Sequence, residues 1–198
     1  MDDNIQTLIH RIRALEDELE TAFTERKQAF DYTIEKKRVR FQKETLRWQK
    51  RFRTALARYI FNARPLIWLT SPVIYSLILP FALLDVWVWI YQRLCFPIYG
   101  IPRAKRADYI VFDRHHLGYL NLLEKINCVY CAYGNGVLAY ATEAAARTEA
   151  YWCPIKHARR KAAYHRWYKG FAEYGDAEHY REYLDQNRKI IRNADSDT

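Results

Sequence analysis

The stretch Leu66-Ile-Trp-Leu-Thr-Ser-Pro-Val-Ile-Tyr-Ser-Leu-Ile-Leu-Pro-Phe-Ala-Leu-Leu84 decides how this chain is organised. It runs 19 residues without a charge, close to the ~20 apolar residues that cross the hydrocarbon core of a bilayer. Asp85 is the single charge between Arg64 and Arg93. Residues 65–96 are therefore expected to form one membrane-inserted hydrophobic segment. The overall mean hydropathy of −0.42 does not oppose this, because polar flanks dilute one anchor.

A single helix between Arg64 and Arg93 would be ~42 Å long, more than the ~30 Å core. Pro72 and Pro80 interrupt it, and a proline kinks or breaks a helix. The halves 66–79 and 81–96 are each short for a span. That favours a re-entrant hairpin turning near Pro80, or a monotopic insertion, over a single span. Trp68 and the Trp87, Trp89, Tyr91 group sit near interfaces in each arrangement. Asp85 reads as an interfacial residue, or as the mark of a span already ended, rather than as a working intramembrane carboxylate. Cys95 reads as a packed or lipid-modified thiol.

The flanks carry unequal charge. Residues 1–35 hold 4 basic and 9 acidic side chains, whereas residues 36–64 hold 11 basic and 1 acidic. Lys36, Lys37, Arg38, Arg40, Arg47, Lys50, Arg51 and Arg53, interleaved with Phe41, Trp48 and Phe52, form a polybasic run against the apolar block. Such runs meet anionic lipid head groups. Nucleic acid is the weaker reading, because the apolar block follows directly. Arg93, Arg103, Lys105 and Arg106 make the far flank basic too, so the positive-inside tendency puts both flanks, and with them the C-terminal domain, on the cytoplasmic side. The N-terminus is polar and acidic, without the apolar core of a secretory signal.

Residues 4–63 contain neither proline nor glycine, so nothing in them breaks a long helix. Ile5, Leu8, Ile12, Leu15, Leu19 and Ala22 repeat at 3–4 spacing, a seam for a short coiled coil or for self-association. Beyond Ala22 the seam degrades, with Phe23, Phe30 and Ile34 on a shifted stripe. The expectation is an acidic amphipathic helix over 1–35 and a basic juxtamembrane helix over 36–64.

The third feature is Cys128-Val-Tyr-Cys131 followed by Cys153-Pro-Ile-Lys-His157. Two residues between thiolates let both sulfurs reach one ion. With Pro154 opening a helix, Cys153 at its N-cap and His157 four residues on would share a face. Cys128, Cys131, Cys153 and His157 are then a Cys3His set for zinc, with an iron–sulfur cluster as the alternative. Packed, inert thiols are the competing reading. A thiol at a helix N-terminus would ionise easily.

Pro97, Gly100 and Pro102 mark a linker over 97–107. Tyr109-Ile-Val-Phe112 is β-prone, and Asp113 is placed to cap a helix over 117–127. Asp113, His115 and His116 are weak candidates for an acid–base or second metal group. Gly134-Asn-Gly136 is expected to separate the Cys-x2-Cys turn from an Ala-rich helix over 137–151. A basic helix after Cys153, and a last helix over 177–192 behind Asp176, complete a domain over 108–192, with a disordered tail at 193–198. Glu143 and Glu149 are six apart and do not share a helical face. No dinucleotide, P-loop, nucleophile-elbow or HExxH motif is present.

The fold expected is mainly α: a long N-terminal helix with a short coiled-coil seam, one membrane insertion, and a compact α-helical C-terminal domain held by a metal staple. Three functions follow. The first is a membrane-anchored adaptor with a structural zinc. The second is a membrane-attached redox or iron–sulfur protein. The third is a membrane-associated enzyme on a lipid-like substrate, and the balance leans away from an enzyme.

Overall fold

Pro80 shapes the apolar segment. The computed structural model of the chain describes residues 7, 10–12, 14–19, 21, 22, 32–35, 38–41, 43–62 and 64–194. The chain is mainly helical and divides into two compact units, residues 1–61 with 113–126, and residues 62–112 with 127–198.

In the first unit the described residues between 7 and 22 are helical, and Ile12, Leu15 and Leu19 lie exposed on that helix. The seam beyond Ala22, with Phe23 and Phe30, lies outside the described residues, as do Lys36 and Lys37. The expected unbroken helix is then replaced by an antiparallel ladder. Strand β1 (Tyr32–Glu35) pairs with β2 (Arg38–Phe41) in a register running from Tyr32↔Phe41 to Glu35↔Arg38. The sequence explains this: Tyr32, Thr33, Ile34, Val39 and Phe41 are β-branched or aromatic, and such residues lose rotamer freedom in a helix but fit a pleated surface. Helix α1 (Lys43–Lys50) follows, with Glu44 in its first turn and Arg47 and Lys50 in its last, as the helix dipole favours. A turn at 51–52 separates it from α2 (Leu56–Asn62). The basic segment is thus a strand and two short helices. Gln49 of α1 is buried, and its Oε1 accepts the Gly118 N–H at 2.8 Å. A Cβ at Gly118 would stand 3.1 Å from both Gln49 and the Leu46 carbonyl, so the close approach favours glycine.

In the second unit, Pro65 opens α3 (Pro65–Ser76) as a first-turn proline. Helix α4 (Ile78–Tyr99) follows after the single residue Leu77. Pro80 has no N–H to offer, and its ring crowds the carbonyl of Ser76, which places the break there. Leu77 keeps an α conformation (φ −62°, ψ −13°), and the Phe81 N–H returns to its carbonyl at 3.2 Å. The chain therefore does not reverse at Pro80, since one residue in α conformation cannot turn it back. The expected hairpin gives way to a single rod, Leu66–Tyr99, long and apolar enough to cross a membrane. It ends three residues beyond the expected boundary. Gly100 adopts φ 66°, its N–H meets the Pro97 carbonyl, and the Ile101 N–H meets the Phe96 carbonyl at 2.9 Å. This is a Schellman stop with Phe96 and Ile101 buried against each other's turn.

Helix α5 (Leu122–Trp152) opens on a reciprocal capping box. Asn121 Oδ1 accepts the Glu124 N–H at 3.0 Å, and Glu124 Oε2 accepts the Asn121 N–H at 2.8 Å. Asp113 instead precedes a short 3-10 turn, Arg114–His116, and its side chain caps nothing. The β-prone run 109–112 forms no ladder. Over residues 127–152, α5 packs parallel to the rod. Asn127 meets Tyr75, Gly134 meets Phe81, Thr148 meets Tyr91 and Tyr151 meets Tyr99. The expected turn at Gly134–Gly136 is helix, because these glycines serve packing. A Cβ on Gly134 would fall 2.8 Å from the Phe81 ring, and one on Gly136 2.8 Å from the Tyr109 carbonyl.

Two parallel neighbouring helices need a return crossover. Residues 101–112 form its first part, a strap laid back along α4, broken by one helical turn at Arg106–Tyr109. After Trp152 the expected basic helix is absent. Pro154 and Lys156 exchange backbone hydrogen bonds with Ala172, forming a parallel bridge at Ile155↔Ala172. Helix α6 (Tyr180–Arg192) closes the unit. Its core joins Val88, Phe96, Ile101, Ala104, Tyr140, Ala144, Ala150, Tyr168, Phe171 and Ile191. Residues 195–198 of the expected tail lie outside the described residues.

Candidate membrane interface and charged seam

The rod has two unlike flanks. Along α4, Leu79, Leu83, Val86, Trp87, Leu94 and Ile98 are exposed, Ile98 by 80%. Their 3–4 spacing puts them on one side. Phe81, Asp85, Val88, Gln92 and Phe96 take the other side and are covered. On α3 the apolar side chains Leu66, Leu69 and Val73 are about as exposed. Side chains of this size contribute about 1.5–3 kcal/mol each when taken from water into an apolar medium. An exposed stripe of this length is far beyond the scattered apolar residues of an ordinary surface.

The Ser and Thr hydroxyls of α3 are satisfied within the helix. Thr70 and Ser71 donate to the Ile67 carbonyl at 3.1 and 2.7 Å, and Ser76 donates to Val73 at 2.7 Å. Lipid offers no hydrogen-bond partner, so a hydroxyl placed there must find one on its own helix.

The covered flank carries a charged seam. Asp85 is 7% exposed. Arg106 donates to it from Nε at 2.9 and 3.2 Å and from a terminal nitrogen at 2.6 Å, and the Tyr133 hydroxyl donates at 3.0 Å. Gln92 Oε1 accepts the Ala104 N–H at 2.8 Å. The Pro102 carbonyl accepts from Arg147 at 2.5 Å. The strap is therefore pinned at 102, 104 and 106, every second residue, as an extended chain allows. Further along, the buried Glu143 accepts from Arg147 Nε at 2.9 Å, from Arg166 at 2.7 Å and from the Trp167 indole at 3.1 Å. Glu149 meets His165 at 2.9 Å. Each of these carboxylates is occupied by cations or donors that also tie two segments together, so chemically the seam is a clamp.

The sequence-predicted residues lie apart. Cys128 and Cys131 sit on α5, half-buried and exposed respectively. Cys153 follows the end of the same helix, and the 21 residue steps from Cys131 to Trp152 correspond to about 32 Å of helix. His157 lies in the irregular segment beyond, its N–H held by the Tyr168 hydroxyl at 2.6 Å. The four do not come together in this structure, and no group of three metal-ligating side chains forms among the described residues. The separation follows from the glycines: the expected turn at 134–136 would have brought the cysteines together, and a continuous helix holds them apart. Cys153 also stands at a helix C-terminus rather than an N-terminus. Burial, and then Glu149, push its thiol up from the ordinary value. Cys95 is half-buried. His115 and His116 lie ring against ring, 3.9 Å between centroids, beside Asp113 in the 3-10 turn.

Of the polybasic run, Arg47, Lys50, Arg51 and Arg53 are exposed, on α1 and just after it. Trp48 and Phe52 are exposed among them, edge to face at 4.9 Å. Arg38 and Arg40 lie on β2. Sequence reasoning placed Arg106 only in a basic flank and set Glu143 aside as an unpaired carboxylate, and it singled out neither Gln92 nor Arg147. Asp85, a lone charge in an apolar block, was the clearest trace of the seam.

Comparison with protein-family models, curated proteins and solved structures finds no match.

Proposed function

We propose that this chain is a monotopic membrane protein, an anchoring and interaction module whose rod lies along the bilayer interface rather than across it. One observation carries this reading: apart from Arg93, exposed toward the rod's end, polarity is divided between the rod's two flanks, not along its length. Polar contacts occur at Tyr75, Asp85, Tyr91 and Gln92, from the first third of the rod to the last. All are on the flank covered by α5 and the strap. A rod standing across the bilayer would carry Arg106 and the extended strap through hydrocarbon, where charge and unpaired backbone are costly. A rod lying in the interface keeps them on the aqueous side and its apolar flank in lipid.

The exposed Arg47, Trp48, Lys50, Arg51, Phe52 and Arg53 supply a second contact with anionic head groups. The exposed Ile12, Leu15 and Leu19 offer a helical seam to a partner or a second copy. The reading as an adaptor, not an enzyme, rests on the clamp-like use of the seam carboxylates.

Topology tests the proposal. Arg58→Cys and Arg159→Cys, each exposed, are introduced separately with the four natural cysteines replaced by serine, and helicity is checked by circular dichroism. In sealed proteoliposomes a membrane-impermeant maleimide labels both sites from the same side if the protein is monotopic. Labelling from opposite sides would establish a span and sink the proposal.

A further inference from the structure

A cavity of about 570 Å³ opens where the strap crosses α4, lined by Trp89, Gln92, Arg103, Lys105 and Arg106 among others. We infer that it is a phosphate-binding site, suited to a phosphate monoester such as the head group of an anionic lipid. The inference rests on the membrane reading only for the source of the phosphate.

Three observations converge. First, the strap brings three cations to one opening. Pinning at Pro102, Ala104 and Arg106 leaves Arg103 and Lys105 exposed, and neither has an ion-pair partner among the described residues. Arg106 lines the same opening while Asp85 holds its Nε and one terminal nitrogen. Second, Gln92 is 1% exposed and lines the same cavity. Its Oε1 is taken by Ala104, while its Nε2 meets no acceptor at hydrogen-bond geometry, although the Tyr140 hydroxyl stands near it. A buried donor without an acceptor is costly, and an acceptor-rich ligand removes the cost. Third, the exposed Trp89 edges the cavity, and indole rings settle at the head-group level of membranes. Cations, a buried donor and an indole rim make a site for a compact polyoxygen anion, and phosphate pairs with guanidinium through two parallel bonds.

The test is vesicle flotation of the full chain with neutral phosphatidylcholine vesicles and with the same vesicles holding phosphatidic acid, with glycerol 3-phosphate as a soluble competitor. Gln92→Glu keeps the acceptor for Ala104 and the shape, but replaces the donor with a carboxylate. Arg103→Gln/Lys105→Gln removes the free cations, and Arg159→Gln/Arg160→Gln removes the same charge elsewhere on the unit. The wild type should bind phosphatidic acid vesicles about tenfold more tightly than neutral ones, the worth of one charge-assisted hydrogen bond. That gain should shrink in Gln92→Glu and Arg103→Gln/Lys105→Gln to the part the polybasic run supplies alone, and survive largely in Arg159→Gln/Arg160→Gln. Competition by glycerol 3-phosphate would assign the site to free phosphate esters as well; its absence would assign it to lipid. If both pocket variants keep their gain while melting like the wild type, the inference is overturned, whether or not neutral vesicles bind. If the wild type fails to float with neutral vesicles, the membrane reading falls, and calorimetry of glycerol 3-phosphate in detergent still decides the pocket.

Discussion

Breaking the Asp85–Arg106 pair should loosen the strap from α4. Asp85 accepts from Arg106 and Tyr133 and is 10% exposed at its side chain, whereas Arg106 is 44% exposed. Two unit charges ~4 Å apart attract by about 4 kcal/mol at an effective dielectric constant near 20. Desolvation of the carboxylate offsets part of this, and the exposed guanidinium is partly screened. Removing Arg106 leaves Asp85 buried with only the tyrosine, and breaking a fully buried pair in this way costs 3–5 kcal/mol. Discounted for exposure, Arg106→Gln should cost about 2–3 kcal/mol. Asp85→Asn should cost less, because an amide oxygen still accepts from Tyr133 and no buried charge is left. The double variant should lose less than the sum, giving a coupling of about 1–2 kcal/mol. Urea unfolding in dodecylmaltoside micelles, followed by tryptophan fluorescence, reads all three. Single losses under about 0.5 kcal/mol with no coupling are what an exposed pair gives, and would refute the docking of the strap against α4.

Gly136→Ala should destabilise by about 1–3 kcal/mol through overpacking, although alanine favours a helix by about 1 kcal/mol; the same unfolding assay reads it. Gly134→Ala meets a ring instead of backbone, so adding Phe81→Ala should recover the overlap but leave the cost of the lost ring. Glu143→Leu leaves Arg147, 5% exposed at its side chain, without its carboxylate, and should cost about 3 kcal/mol. Cys153 should react with iodoacetamide more slowly than a free thiol at pH 8, because its raised pKa leaves less of the thiolate nucleophile; Glu149→Gln removes the nearby negative charge, lowers that pKa and should speed the reaction.

Parts of this architecture were legible one residue at a time. The charge-free run from Leu66 to Leu84 already specified a long apolar segment, since length and lack of charge are local properties. Helix was legible over 137–151 of α5 and over most of α6, but not across the cysteine and glycine stretch that α5 runs through. Glycine and proline were where local reading failed. Pro80 reads as a turn, but a proline can also sit within one continuous rod when a single residue in α conformation absorbs the break. Gly134 and Gly136 read as a turn because glycine is free there, yet both are small because Phe81 and the strap backbone press on them. With that turn gone, the Cys3His set lost the fold that would have assembled it. The ladder at 32–41 was visible in its β-branched residues but was outweighed by the absence of proline and glycine.

The sequence by itself determined that the protein is mainly helical, holds one apolar segment of membrane-crossing length, and is basic on either side of it. These follow from hydropathy and charge, which each residue carries alone. Only the tertiary structure decided which flank of the rod is polar, that Asp85 answers Arg106, and that Gln92, Arg103 and Lys105 share one cavity. Those facts depend on a return crossover between parallel helices. It brings together residues that are remote in the chain, and no local periodicity encodes where an extended strap will lie.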